Sequence, residues 1–195
     1  MRRNFKMQKY ENASSGLKMV FIGAIGAIIC GVILIIPIIG TIIGGIGGLV
    51  FLILSLIGLY KAGMDIDGCK KAFMCNIINL VISVLKTFLG AVPVLGLLLN
   101  LAGYVFSFLV VYLVCSSVAA VMRDMGHADI AANGELVYKI NFVCYIATIV
   151  LSILAVIPLV NILAGLASIV VSIVILVAQI LYMIFLYKSS NAMAA

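Results

Sequence analysis

Residues 19–60 read MVFIGAIGAIICGVILIIPIIGTIIGGIGGLVFLILSLIGLY, two apolar runs joined at Pro37 with no charged side chain between Lys18 and Lys61. An α-helix needs about 20 apolar residues to cross the hydrocarbon of a bilayer, and the runs 19–36 and 38–60 each meet that length. Proline disfavours helix in the residue before it and is well placed at the start of the next one. The stretch therefore predicts two membrane-crossing helices with a bend at Pro37.

Working outward, the same pattern returns twice. Runs 72–92 and 94–122 flank Pro93, and runs 140–157 and 159–187 flank Pro158. The three prolines of the chain sit in matching pentapeptides: Ile36-Pro37-Ile38-Ile39-Gly40, Val92-Pro93-Val94-Leu95-Gly96 and Ile157-Pro158-Leu159-Val160-Asn161. On the entry side Gly16, Gly68 and Gly134 follow Ser15, Asp67 and Asn133, residue types that cap helices. The expected architecture is an all-α, polytopic membrane protein with six transmembrane helices. They form three consecutive hairpin repeats at approximately 16–61, 68–122 and 134–188, in one transmembrane domain over 1–195 after an N-terminal arm, 1–15. Internal repeats of this kind recur in membrane transporters.

Composition agrees. The chain is 66% hydrophobic and 9% charged, with a mean hydropathy of +1.39, whereas roughly a quarter of residues are charged in soluble domains. Lipid has to be the solvent, and the bilayer is the first expected partner. The net charge of +6 does not predict nucleic-acid binding, because the basic residues are short flanks of apolar runs. The basic start, Arg2, Arg3, Lys6 and Lys9, is long and interrupted, and no small-x-small cleavage pattern precedes the second run, so 19–36 is read as a retained span. Every Lys and Arg except Lys86 falls on the side of the N-terminal arm, and the proline bends carry no charge. By the positive-inside rule both termini are expected in the cytoplasm, in a multi-pass protein of the cell (plasma or inner) membrane. The sequon Asn12-Ala13-Ser14 lies inside under this topology and reads as accidental.

Within the spans the few polar and small residues recur in steps of three and four, which places them on single helix faces. The stripes are Asn76, Asn79, Ser83, Lys86 and Gly90 in the third run, and Gly96, Asn100, Gly103 and Ser107 in the fourth. Asn141, Tyr145, Thr148 and Ser152 follow in the fifth, then Asn161, Gly165, Ser168, Ser172 and Gln179 in the sixth. The first two runs carry a small-residue version, Gly23, Gly26, Cys30 and then Gly40, Gly44, Gly47. Polar groups lack partners in lipid, so each stripe is expected to face the bundle interior. Two readings follow: helix packing through amides, hydroxyls and small residues, or a narrow polar pathway or pocket. On the second, the solute- or lipid-binding candidates are Lys86, Asn79, Ser83, Asn100, Asn161 and Gln179. Lys86 is the one charge inside a span. It either meets an anionic or carbonyl-bearing solute or a lipid phosphate, with Asn79 and Ser83 nearby, or extends its stem to the headgroups.

Other chemistry lacks its parts. The five cysteines form no CxxC pair and have no companion histidines, so neither zinc nor a disulfide framework is expected. His127 with Asp124, Asp129 and Glu135 matches no metal-binding spacing and reads as a solvated loop. No span holds an Asp, a Glu or a His, which removes the parts of an intramembrane protease and of a carboxylate proton relay. The glycines at 44, 45, 47 and 48 lack the Lys-Ser/Thr ending of a phosphate loop. No catalytic residue, metal or cofactor is expected, and the chain is not read as an enzyme. Two function classes remain. One is a small transporter or channel-like subunit handling a small solute. The other is a non-transporting scaffold, accessory or immunity/stress protein, with other membrane subunits or a second copy as partner.

Overall fold

The computed structural model describes residues 10–33, 39–155, 157 and 161–194. Among them are six long helices: α1 (Glu11–Ile33), α2 (Ile39–Ala62), α3 (Asp67–Leu89), α4 (Pro93–Asp124), α5 (Ala128–Leu154) and α6 (Asn161–Ala194). All six are long and apolar enough to cross a membrane, and a helix satisfies its backbone N–H and C=O groups internally, as hydrocarbon demands. Large apolar side chains such as Ile46, Val50, Phe88, Ile162 and Val170 stand exposed on helix flanks. With lipid as their solvent these faces are covered, so the chain is an integral membrane protein in contact with the bilayer.

Of the three proline bends, only the one at Pro93 is described; Pro37 and Pro158 lie outside the described residues. There Gly90 ends α3 with its N–H on the Lys86 carbonyl, Val92 turns extended (φ −83°, ψ 113°) and Pro93 opens α4. Proline has no N–H to leave orphaned at that position. The opposite turn, between α4 and α5, uses Gly126 at φ +90°, a left-handed conformation that costs glycine little. The N–H of His127 then reaches back to the Met122 carbonyl at 2.8 Å.

Each helix packs on its neighbours in sequence, and α6 returns to α1 and closes a ring. The contacts run antiparallel: a Cβ at Gly16 would stand 2.5 Å from Gly58 O and Ala62 N, and one at Gly26 would strike Phe51. Gly68 abuts Ser117 of α4 in the same way, and a Cβ at Gly134 would lie 2.6 Å from the Phe185 ring of α6. At each of the three entry glycines an added Cβ would thus collide with the partner helix.

The packed core lies at the charged end of the bundle, among Leu17, Leu59, Val114, Val118, Met122, Val137, Phe185 and Leu186. Polar links across helices reinforce it. Asp65, in the α2–α3 turn, accepts the Ala13 N–H at 2.8 Å and the Asn12 amide at 3.2 Å, satisfying an orphan donor in the first turn of α1. Lys61 Nζ donates to Ser15 Oγ at 3.0 Å, and Ser14 Oγ donates to the Ser190 carbonyl at 2.8 Å across the α1–α6 seam. Arg123 pairs with Glu135 between α4 and α5.

Two sequence expectations are corrected here. Ser15 and Asn133 are not helix caps: both lie inside α1 and α5, which begin at Glu11 and Ala128. Asp67 is the first helical residue of α3, with Ile66 in the cap position. The helices also overrun the apolar spans at the charged end, where α6 continues to Ala194, because packing between helices sustains turns that hydropathy does not register.

Candidate functional site

Toward the proline end a cavity of about 370 Å³ opens among α4, α5 and α6. Its polar lining is Tyr104 from α4, Thr148 and Ser152 from α5, and Asn161, Ser168 and Ser172 from α6. Positions four apart share a helix face, so the stripes of α5 and α6 converge once these antiparallel helices pack. Ala155, Ala164 and Gly165 supply the room. A Cβ at Gly165 would meet nothing within 4 Å.

Every small hydroxyl here donates into its own helix. Thr148 Oγ1 donates to Cys144 O at 2.8 Å, Ser152 Oγ to Thr148 O at 2.7 Å, Ser168 Oγ to Gly165 O at 2.7 Å and Ser172 Oγ to Ser168 O at 2.8 Å. A hydroxyl with its proton so engaged still offers oxygen lone pairs. The cavity therefore presents four acceptors, together with the amide of Asn161 and the phenol of Tyr104, which can donate as well. None of its lining residues is Lys, Arg, Asp, Glu or His. An ion entering it would lack a counter-charge, whereas a neutral molecule bearing O–H or N–H groups would find complementary acceptors.

Two turns toward the charged end on the same face of α5 stands Asn141, fully buried. Its amide donates to Val137 O at 2.9 Å, and its Oδ1 has no partner among the described residues. The polar face of α5 thus continues below the cavity into the core.

Of the six residues singled out by sequence, only Asn161 lines this cavity. Asn79 is half-buried at the α3–α4 contact, where its amide donates to Ser107 Oγ at 3.0 Å, and Tyr145 of α5 meets the same hydroxyl. Ser83 is exposed and donates to the Asn79 carbonyl at 2.9 Å. Lys86 is exposed on α3, one turn from its end. Asn100 and Gln179 are half-buried on α4 and α6, outside the lining. Tyr104 was not among the sequence candidates, although it follows Gly96 and Asn100 in steps of four. That spacing was the signal for it.

Comparison with known proteins yields no matching family model, no matching curated protein and no matching solved structure, so the site is read from its own chemistry.

Proposed function

We propose that this chain is a small transporter or channel-like membrane protein, without a reaction of its own, that takes a small neutral polar solute into the α4–α5–α6 cavity. One observation carries the reading. Polar residues of three helices line one uncharged cavity, open on its α6 side where Asn161, Ser168 and Ser172 are exposed, at a depth where lipid offers polar groups no partners. In this reading the proline bends face the outside and both termini the cytoplasm of a cell membrane, as the distribution of Lys and Arg favours. The chain is built from three hairpin repeats, 16–61, 68–122 and 134–188. Equivalent contacts support that: each entry glycine meets the partner helix of its hairpin. Tyr60 meets Phe73 edge-on across α2–α3, and Tyr187 meets Phe21 at a tilt across α6–α1. Asn161 orients the solute, Asn79 serves the α3–α4 contact, and Lys86 serves the headgroup layer beyond α3.

Glycerol is a suitable probe, being small, neutral and rich in hydroxyls. Proteoliposomes under a glycerol gradient are expected to relax faster than protein-free vesicles in stopped-flow light scattering. Gly165→Leu fills the cavity and removes the excess flux, whereas Lys86→Met leaves it unchanged. Flux equal to that of empty vesicles in the unaltered protein, for glycerol and for urea alike, overturns the reading.

A scaffold role has one observation of its own. Gly45 and Gly48 of α2 face open space, with nothing within 4 Å of an added Cβ, which would let another helix approach closely. On that reading Gly45→Leu with Gly48→Leu abolishes association in detergent and leaves glycerol flux untouched.

A further inference from the structure

A second cavity, of about 540 Å³, lies between α4 and α5 nearer the charged end, lined by Phe108, Leu109, Tyr112, Tyr138, Lys139, Phe142 and Val143. It differs from the solute cavity in kind. Its walls are aromatic: Phe108 packs against Tyr112 at 5.9 Å and Phe142 at 5.4 Å, and Tyr112 meets Tyr138 edge-on at 5.4 Å. One charged group, Lys139, stands at its rim. Among the described residues Glu135 is the one carboxylate paired there, and it is shared between Arg123 and Lys139. Lys139 sits 3.9 Å from the other carboxylate oxygen, with its side chain 65% exposed. The cluster of two cations and one carboxylate is therefore net positive, with an accessible ammonium.

We propose that this groove binds an anionic phospholipid, with its phosphate on Lys139 and the upper part of one acyl chain against Phe108, Tyr112 and Phe142. The charge pattern selects the occupant. A net-positive rim favours a net-negative headgroup over a zwitterionic one, and the apolar walls one turn deeper accept a chain but no polar solute. Tyr112 and Tyr138 lie at the lysine end, where tyrosine suits the boundary between headgroups and hydrocarbon. The site is independent of the solute cavity and stands whether or not the chain transports anything.

The chain contains no tryptophan, so Phe142→Trp provides a single reporter. The variant is reconstituted into mixed phosphatidylcholine and phosphatidylglycerol vesicles, with one lipid at a time carrying brominated chains that quench the indole on contact. Brominated phosphatidylglycerol is expected to associate about fivefold more strongly than brominated phosphatidylcholine, the preference expected of one basic residue acting on an anionic lipid. Adding Lys139→Gln brings the two lipids to parity. A reporter at Ile169→Trp, on the exposed flank of α6, shows parity throughout. Equal quenching at Phe142→Trp with Lys139 present overturns the proposal, and so does a preference that survives Lys139→Gln. Should Phe142→Trp fail to fold, Leu109→Trp reads the same groove with the same two outcomes.

Discussion

The two ends of the bundle are built on different principles. At the charged end Gly16 and Gly58 bring the α1 and α2 backbones into contact, and side chains link neighbouring helices: Asp65 to α1, Lys61 to Ser15, Ser14 to Ser190 and Arg123 to Glu135. Toward the proline end the hydroxyls around the cavity turn back onto their own helices and join nothing across the bundle. Lipid removes most of the hydrophobic drive between helices, leaving close packing and interhelical hydrogen bonds to hold them together. Seams that have both are fixed, and the α5–α6 face around Gly165, which has neither, is free to hold a cavity. The core and the site thus divide the molecule along its length.

The sharpest way to break this comparison is one substitution made at both ends. Gly16→Leu drives side-chain atoms into the α2 backbone, which cannot swing aside as a flexible side chain could. Thermal unfolding in detergent is expected to show a loss of about 3 kcal/mol, the upper part of the usual overpacking range. Gly165→Leu, placed in open space, changes stability by no more than about 0.5 kcal/mol. Equal losses would mean that the two ends are packed alike.

Asp65→Ala sharpens the account of the charged end. It removes the acceptor for the Ala13 N–H and the Asn12 amide, and a lost cap typically costs about 1 kcal/mol. Hydrogen exchange should rise in the first turns of α1 and stay unchanged around Ser168. A smaller effect than that of Asp65→Ala is expected midway, at Asn79→Leu. The bond to Ser107 is one interhelical link, and such links average about 0.6 kcal/mol in membranes. A loss above about 2 kcal/mol would show that the middle of the bundle belongs to the fixed region.

Much of the helix layout was legible in the sequence. Apolar length and charged flanks fix where a chain can cross lipid, and Pro93 begins α4 as its position requires. The true helix starts were not legible. Glu11 and Ala128 precede the apolar runs by about two and three turns, and the polar residues there are held helical by neighbours that hydropathy cannot register. For the same reason Ser15 and Asn133 resembled caps: their residue type was right, but the helices continue past them. The site was legible on α5 and α6, whose periodic polar faces meet because the two helices are adjacent. On α3 an equally clear periodicity ends at the exposed Ser83 and Lys86. Period places residues on one face, but only the packing of the ring decides what that face meets.

Position-specific labelling tests the central division most directly. In a protein whose five cysteines are replaced by alanine, Asp129→Cys marks the charged end and Ser168→Cys the cavity, and sealed vesicles are treated with a membrane-impermeant maleimide. The account predicts that the two sites label from opposite sides of the membrane, with Ser168→Cys reacting before any detergent is added. Labelling of both from one side, or of Ser168→Cys only after solubilisation, would contradict it.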